Sequence, residues 1–211
     1  VYDFLVNNPE KYFKTSMPSV EDYRAAMEET LKSGKDVLCL TMTSSVTSSI
    51  QSATLAKRMV DENYPERTVI VIDSLAATVL QGMFVLEAIK LRDAGYDVVE
   101  AEKRLREIIP TGEIFFSMDT LDYLIHGGRL GKISGRVAST LKIKPMVFLH
   151  NGELGSNGIA RSRKQAMDKI IDFFFKHIKD NNLDLSEYSL ASGYGYDIEE
   201  GIEFNRRVSA L

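Results

Sequence analysis

The sequence predicts two α/β domains in succession, the first with a parallel sheet and the second mixed. Three observations predict it. Between Val37 and Ile108, short apolar runs alternate with amphipathic helical stretches, a pattern that implies right-handed crossovers and a parallel sheet. After Pro110 the pattern changes, and Asn151-Gly152 sits between two strand-like runs as a type I′ hairpin turn. The chain has 211 residues, 44% apolar and 27% charged, an ordinary globular mixture long enough for one large or two small domains.

Each element has a local cause. Tyr2, Phe4 and Leu5 read as the interior of a helix or loop, and Val1 in place of an initiator Met reads as a processed or incomplete chain. Ser19 followed by Asp22 is a hydroxyl cap with a carboxylate three positions on. Val20, Tyr23, Met27 and Leu31 then share a face, and Gly34 closes the helix. Val37–Met42 is a buried strand, and a helix over about 49–62 follows. Thr68–Asp73 is a second buried strand. Ala76–Ala94 is a long apolar helix ended by Gly95, and Val98, Ala101, Leu105 and Ile108 stripe another that Pro110 terminates. Beyond it come a strand at Glu113–Met118, a short helix at Leu121–Ile125, a glycine-rich loop and a helix at Val137–Leu141. The hairpin of Ile143–Leu149 and Glu153 onward, a helix at Lys164–Ile178, a strand at Tyr188–Ala191 and a last helix from Asp197 or Ile198 complete the chain. The domain boundary is placed near Pro110, giving residues 1–110 and 111–211.

Composition narrows the function. Lys and Arg total 26 and Asp and Glu total 30, a net charge of −4, which disfavours a general nucleic-acid binder. Cys39 is the single cysteine, so no internal disulfide and no cysteine-based zinc site can form. No apolar run approaches the ~20 residues that cross a bilayer, and no basic segment followed by an apolar one opens the chain. A soluble, cytoplasmic protein without stable membrane insertion is the expectation.

The most unusual stretch is 41–54, where nine of 14 residues are Ser or Thr. It lies between a strand's C-terminal end and a helix start, where open α/β sheets bind ligands and where free N–H groups suit a phosphate or carboxylate. Helix capping with a solvated loop is the plain alternative. Thr15-Ser16-Met17-Pro18-Ser19 is a second hydroxyl cluster before a helix, readable as an N-cap with a proline turn. Gly127-Gly128-Arg129-Leu130-Gly131-Lys132 fails as a phosphate loop, because His126 and Ile133 stand where Gly and Ser or Thr are needed. It remains either a connector or an Arg-bearing approach to an anion. His126, His150 and His177 have no i,i+4 partner, and no hydrolase signature appears. His150 reads as exposed beside its turn. Arg161-Ser162-Arg163-Lys164 is a basic cluster entering a helix, either solvated or in contact with an anion or partner. Phe173-Phe174-Phe175 reads as packing.

Taken in order, these residues are familiar. Thr15–Ser19 resembles the Thr-Ser-Gln-Pro-Ser element of the DegV family of fatty-acid-binding proteins. Thr43–Ala53 resembles that family's Ser-Ser-x-Leu-Ser-Gly-Thr-Tyr-Gln-Ser-Ala loop, and Val71-Ile72-Asp73-Ser74 its Val-Ile-Asp-Ser strand end. Met118–Leu124 with Gly127–Leu130 resembles Val-Asp-Thr-Leu-Glu-Tyr-Leu and Gly-Gly-Arg-Ile. Ile143-Lys144-Pro145-Met146 and Arg161–Lys164 follow in family order.

The resemblance implies a two-domain fold holding a long-chain fatty acid, its acyl chain in an apolar tunnel and its carboxylate among hydroxyls. The family's carboxylate-binding threonine falls on Thr15 and its serine on Thr47, with Ser16 and Ser48 beside them. It implies a carrier rather than an enzyme, with no catalytic residue, cofactor or metal site, and a partner fatty acid kinase that makes the acyl-phosphate. Arg129 and Arg161 are then candidates for the charged product or the partner. Thr47 keeps the hydroxyl of the family's serine but adds a methyl group, and Ser48 stands where the family has glycine. The family's opening strand and closing Gly- and His-containing loop are absent, so a chain cut at both ends is expected. Two other readings stay open: an enzyme acting on a small phosphorylated or carboxylated substrate at the Ser/Thr loop, and a regulatory scaffold with a vestigial pocket.

Overall fold

Helix α2 (Val20–Lys32) shows how local chemistry sets the elements. Ser19 Oγ accepts from the Asp22 N–H at 3.1 Å, and the Asp22 carboxylate accepts from the Ser19 N–H at 2.8 Å. The Ser19 hydroxyl also donates to Asp22 Oδ2 at 2.7 Å, and this bond, then the one from the Ser19 N–H, holds the Asp22 carboxyl below its usual range. The chain is described here by a computed structural model covering residues 1–129 and 143–211. The helix expected at Val137–Leu141 and the end of the glycine-rich loop lie outside the described residues.

The fold is mixed α/β and divides into two units. One, the α/β unit, comprises Ser16–Glu113 and Leu149–Glu153; the other comprises Val1–Thr15, Ile114–Phe148 and Leu154–Leu211. The sequence reading cuts the chain once near Pro110, whereas these units are discontinuous. Aromatic contacts hold the first residues, with α1 at Tyr2–Asn7, in the second unit: Tyr12 stacks on His126 at 3.7 Å, and Tyr2 lies 6.0 Å from Tyr196.

In the α/β unit, β1 (Val37–Thr41) and β2 (Val69–Asp73) pair in parallel, from Val37 opposite Val69 to Thr41 opposite Asp73. Helix α3 (Ser49–Asn63) is the crossover. Met27 and Leu31 of α2 and Ala53, Ala56 and Val60 of α3 pack with Val37, Cys39, Val69 and Val71, the odd-numbered face of the strands. Pleating turns the even-numbered residues to the other face, and α5 (Val98–Ile108) packs against both strands. Its Ala101 and Leu105 are buried. Val37–Leu40 are half-buried rather than fully buried, whereas Val69 and Ile72 of β2 are buried. Helix α4 (Thr78–Asp93) starts two residues later than the apolar pattern suggests. Leu75 and Thr78 adopt φ of 50° and 52°, so the chain turns sharply before the helix begins. A short 3-10 turn at Ile109–Thr111 follows α5, set by Pro110.

In the second unit, β3 (Glu113–Ser117), β4 (Lys144–His150) and β5 (Glu153–Ala160) form one sheet in that order. Glu113 and the hairpin tip at 149–153 are grouped with the α/β unit. The tip is the expected type I′ turn, with φ of 47° at Asn151 and 81° at Gly152. One face gathers Val147, Leu121, Phe116, Met118, Leu124 and Leu154; α6 (Asp122–His126) follows Leu121. The other gathers Met146, Ala160, Ala166, Ile170 and Phe173, covered by α7 (Arg163–Asp180). Phe173 therefore packs, but Phe175 is exposed. Helix α8 (Ile198–Val208) opens at Asp197, whose carboxylate accepts from the Glu200 N–H. The strand expected at Tyr188–Ala191 does not form. Tyr188 is extended (φ −115°, ψ 145°), but the segment pairs with no strand among the described residues, and an extended chain without a ladder is not a strand.

Candidate functional site

The strand ends of the α/β unit build the site. Thr41 and Asp73 close the parallel pair side by side. Beyond them the 42–48 and 74–77 loops bond to each other: the Thr43 N–H donates to the Ala76 carbonyl at 2.8 Å, and the Ser74 N–H donates to the Thr41 carbonyl at 3.0 Å. Asp73 ties both loops, accepting from the Ser44 N–H (3.1 Å) and the Leu75 N–H (3.0 Å). The buried Ser74 hydroxyl accepts from the Ala76 N–H at 3.3 Å. Gln81 of α4 donates its side-chain amide to the Leu40 carbonyl at 3.1 Å.

The hydroxyls of the 41–54 stretch then divide. Thr41 is buried and donates to the Ile72 carbonyl at 3.2 Å. Thr43 and Ser45 both donate to the Gly152 carbonyl at the hairpin tip, Thr43 at 2.9 Å. Thr47 and Ser49 share a hydrogen bond of 2.8 Å at the start of α3. The Ser48 side chain does not cap that helix, leaving its exposed hydroxyl at the N-terminus, where backbone N–H groups and the helix dipole favour negative charge. Ser52, one turn further, donates to Met17 Sδ at 3.8 Å. That contact brings the segment containing Ser16 beside α3 within one unit. Thr15 is exposed and is grouped with the other unit.

The sequence reading missed the role of Gly152. Asn151-Gly152 announces a turn, but nothing local announces the acceptor it presents. His150 is exposed, as expected, and pairs through Nδ1 with Glu113, while the Asn151 side-chain amide lies 2.8 Å from Nε2.

The candidate arginines lie in the second unit. Arg129 follows α6 and donates to the Gly127 carbonyl. The Arg161 N–H donates to Gln165 Oε1 at 2.6 Å in the turn entering α7. Its neighbour Arg163 is the residue in an ion network: it pairs with Glu200 and, at 3.2 Å, with Asp119 Oδ1, which also accepts Lys144 Nζ at 2.9 Å. Glu200, then burial acting against it, then the charge of Glu200 and Asp119 set the Arg163 proton affinity, with a net rise that keeps it charged. Among the described residues, no three His, Cys, Asp or Glu side chains cluster as a metal site, and no helix is long and apolar enough to cross a membrane.

Known proteins resemble this arrangement. The profile of the family described as "Uncharacterised protein, DegV family" matches residues 4–201. A DegV domain-containing protein from Streptococcus pyogenes serotype M1 is 28% identical over 197 residues, 93% of this chain and 68% of that protein. A stearic-acid-binding protein from Eubacterium ventriosum superposes with a TM-score of 0.92 at 33% identity, over 99% of this chain and 71% of the other. The Fatty Acid Kinase (Fak) B3 protein of Streptococcus pneumoniae, solved with linoleic acid, superposes with a TM-score of 0.71 at 28% identity, over 79% of this chain and 58% of the other. A profile match across nearly the whole chain, together with the shared fold, establishes that the chain belongs to the DegV family.

Proposed function

We propose that this protein binds a long-chain fatty acid and carries it, the chemistry being done by a partner fatty acid kinase. The carrying observation is the similarity, over almost the entire chain, to a stearic-acid-binding protein. The similarity to a kinase-associated protein solved with linoleic acid supports the partner. In this reading the carboxylate meets Thr47, Ser48 and the N-terminus of α3, and Ser16 of the same unit adds a further hydroxyl. The cluster is neutral, which suits it to orienting a head group rather than to holding it by charge. Retention comes from the acyl chain in an apolar tunnel: burial contributes ~0.8 kcal/mol per methylene, so about a dozen give roughly 10 kcal/mol before the costs of association. Arg129 and Arg161 serve the acyl-phosphate or the kinase, because guanidinium groups match phosphate oxygens.

Native mass spectrometry of the protein purified from cells tests the reading. A co-purifying mass of a long-chain fatty acid is expected. Protein that stays empty, and that takes up neither oleate nor stearate when they are supplied, overturns it.

A further inference from the structure

We propose that the tip of the β4–β5 hairpin is a positioning element for the ligand loop, and that Thr43 and Gly152 set carboxylate affinity without touching the fatty acid. The inference rests on the proposed role of Thr47 and Ser48.

Three segments interlock within the α/β unit: the hydroxyl loop 42–48, the strand exit 73–76 and the hairpin tip 149–153. The Gly152 carbonyl takes two donors, Thr43 Oγ1 at 2.9 Å and Ser45 Oγ. Thr43 Oγ1 also accepts weakly from the Ser45 N–H at 3.4 Å, so this one hydroxyl bridges the tip and the loop's own backbone. Thr43 and Gly152 are both buried. In a buried setting, a carbonyl that loses its donors is left without water to replace them. The fit is close on every side. A Cβ at Gly152 would lie 2.7 Å from Thr43 Oγ1 and 3.1 Å from Leu75 Cδ2, and φ of 81° itself demands glycine. Leu75, the other wall, is held at a left-handed φ of 50°, which persists only where the surroundings over-determine it. Asp73 fixes the remaining backbone by holding the N–H groups of Ser44 and Leu75.

This divides the labour along the loop. Thr43 and Ser45 are committed to the tip, and Thr47 and Ser48 begin only two and three residues later, at the start of α3. With its first half clamped, the loop presents its second half in one geometry. Release would let the Thr47 hydroxyl sample positions off the carboxylate and weaken binding through lost preorganisation.

The test uses the full chain with Thr43→Val, Thr43→Ser and Gly152→Ala, reading oleate affinity, thermal unfolding and amide hydrogen exchange over residues 44–50. Thr43→Val keeps the shape and removes the donor. It is expected to weaken oleate binding about tenfold, the loss of one buried hydrogen bond, and to speed exchange in the loop. Thr43→Ser restores the donor and is expected to restore both. Gly152→Ala is expected to act like Thr43→Val or more strongly, and if it fails to fold, the threonine pair still decides. A folded Thr43→Val with wild-type affinity and wild-type loop exchange overturns the proposal. If the wild type binds neither oleate nor stearate, the functional reading fails instead. The exchange comparison then judges the clamp alone, and unchanged loop protection in Thr43→Val overturns it.

Discussion

Thr47 carries the sharpest expectation at the scale of single residues. Its hydroxyl lies 2.8 Å from Ser49 Oγ and accepts weakly from the Ser49 N–H at 3.3 Å, so it is oriented before any ligand arrives. Thr47→Ala removes a donor to a charged group, worth ~1.5–3 kcal/mol, and should weaken fatty-acid binding roughly ten- to hundredfold with little change in melting temperature. Unchanged affinity in folded protein would move the carboxylate elsewhere. The sequence marks the 41–54 run because a hydroxyl-rich stretch after a strand has a local meaning, and within it the family resemblance is what proposes Thr47. The sequence could not point to the partnership of Thr43 with Gly152. That bond spans 109 positions, and Asn-Gly specifies the bend of a turn but not what its carbonyl will meet. The pairing of His150 was illegible for the same reason, since its partner Glu113 lies 37 positions away.

Helices were legible where local signals stood out: a cap, a stripe and a stop for α2, a stripe ended by Pro110 for α5, and the opening at Asp197 for α8. Segment 188–191 misled because an apolar extended run is a strand only if an edge awaits it, and edges are a property of the assembled sheet. The start of α4 shifted because the left-handed turns at Leu75 and Thr78 are imposed by tertiary packing and not by residue preference. At this scale the contact of α7 with α8 should respond to acid. Asp168 on α7 accepts from Arg207 on α8 at 2.7 Å and from Lys164 at 3.3 Å, and these bonds hold its carboxyl below the usual carboxylate range. A folded-state pKa that is depressed means stabilisation present above the unfolded value, about 3.9, and lost as pH falls through the folded one. Amides of α8 should therefore exchange faster at about pH 3 than expected from their behaviour at pH 6. Asp168→Asn should exchange faster at pH 6 and lose most of that acid dependence. Equal protection of wild type and variant at both pH values would show the ion pair to be idle.

For the whole molecule, the division between holding and handing over is the testable matter. Arg129 and Arg161 lie in the second unit, outside the one that contains Thr47 and Ser48. Arg129→Ala and Arg161→Ala should leave oleate binding within about twofold, since neither contributes to the apolar retention term, and should lower acyl-phosphate formation with a cognate fatty acid kinase. Normal turnover in both variants would make them structural and place the partner surface elsewhere. Arg163 is the internal control: pinned by Glu200 and Asp119, its loss should reduce stability first.

The return of residues 149–153 to the α/β unit also imposes an order of events on the nascent chain. The hydroxyl loop leaves the ribosome 109 residues ahead of the carbonyl that clamps it. At translation rates of about 5–20 residues per second, that is a wait of roughly 5–20 s. Through that interval the parallel strands and their helices can already be in place while the loop still lacks its fastening. On the proposed function, a fatty acid met early would find hydroxyls without a fixed arrangement, so competence to load arrives only once the hairpin tip has emerged.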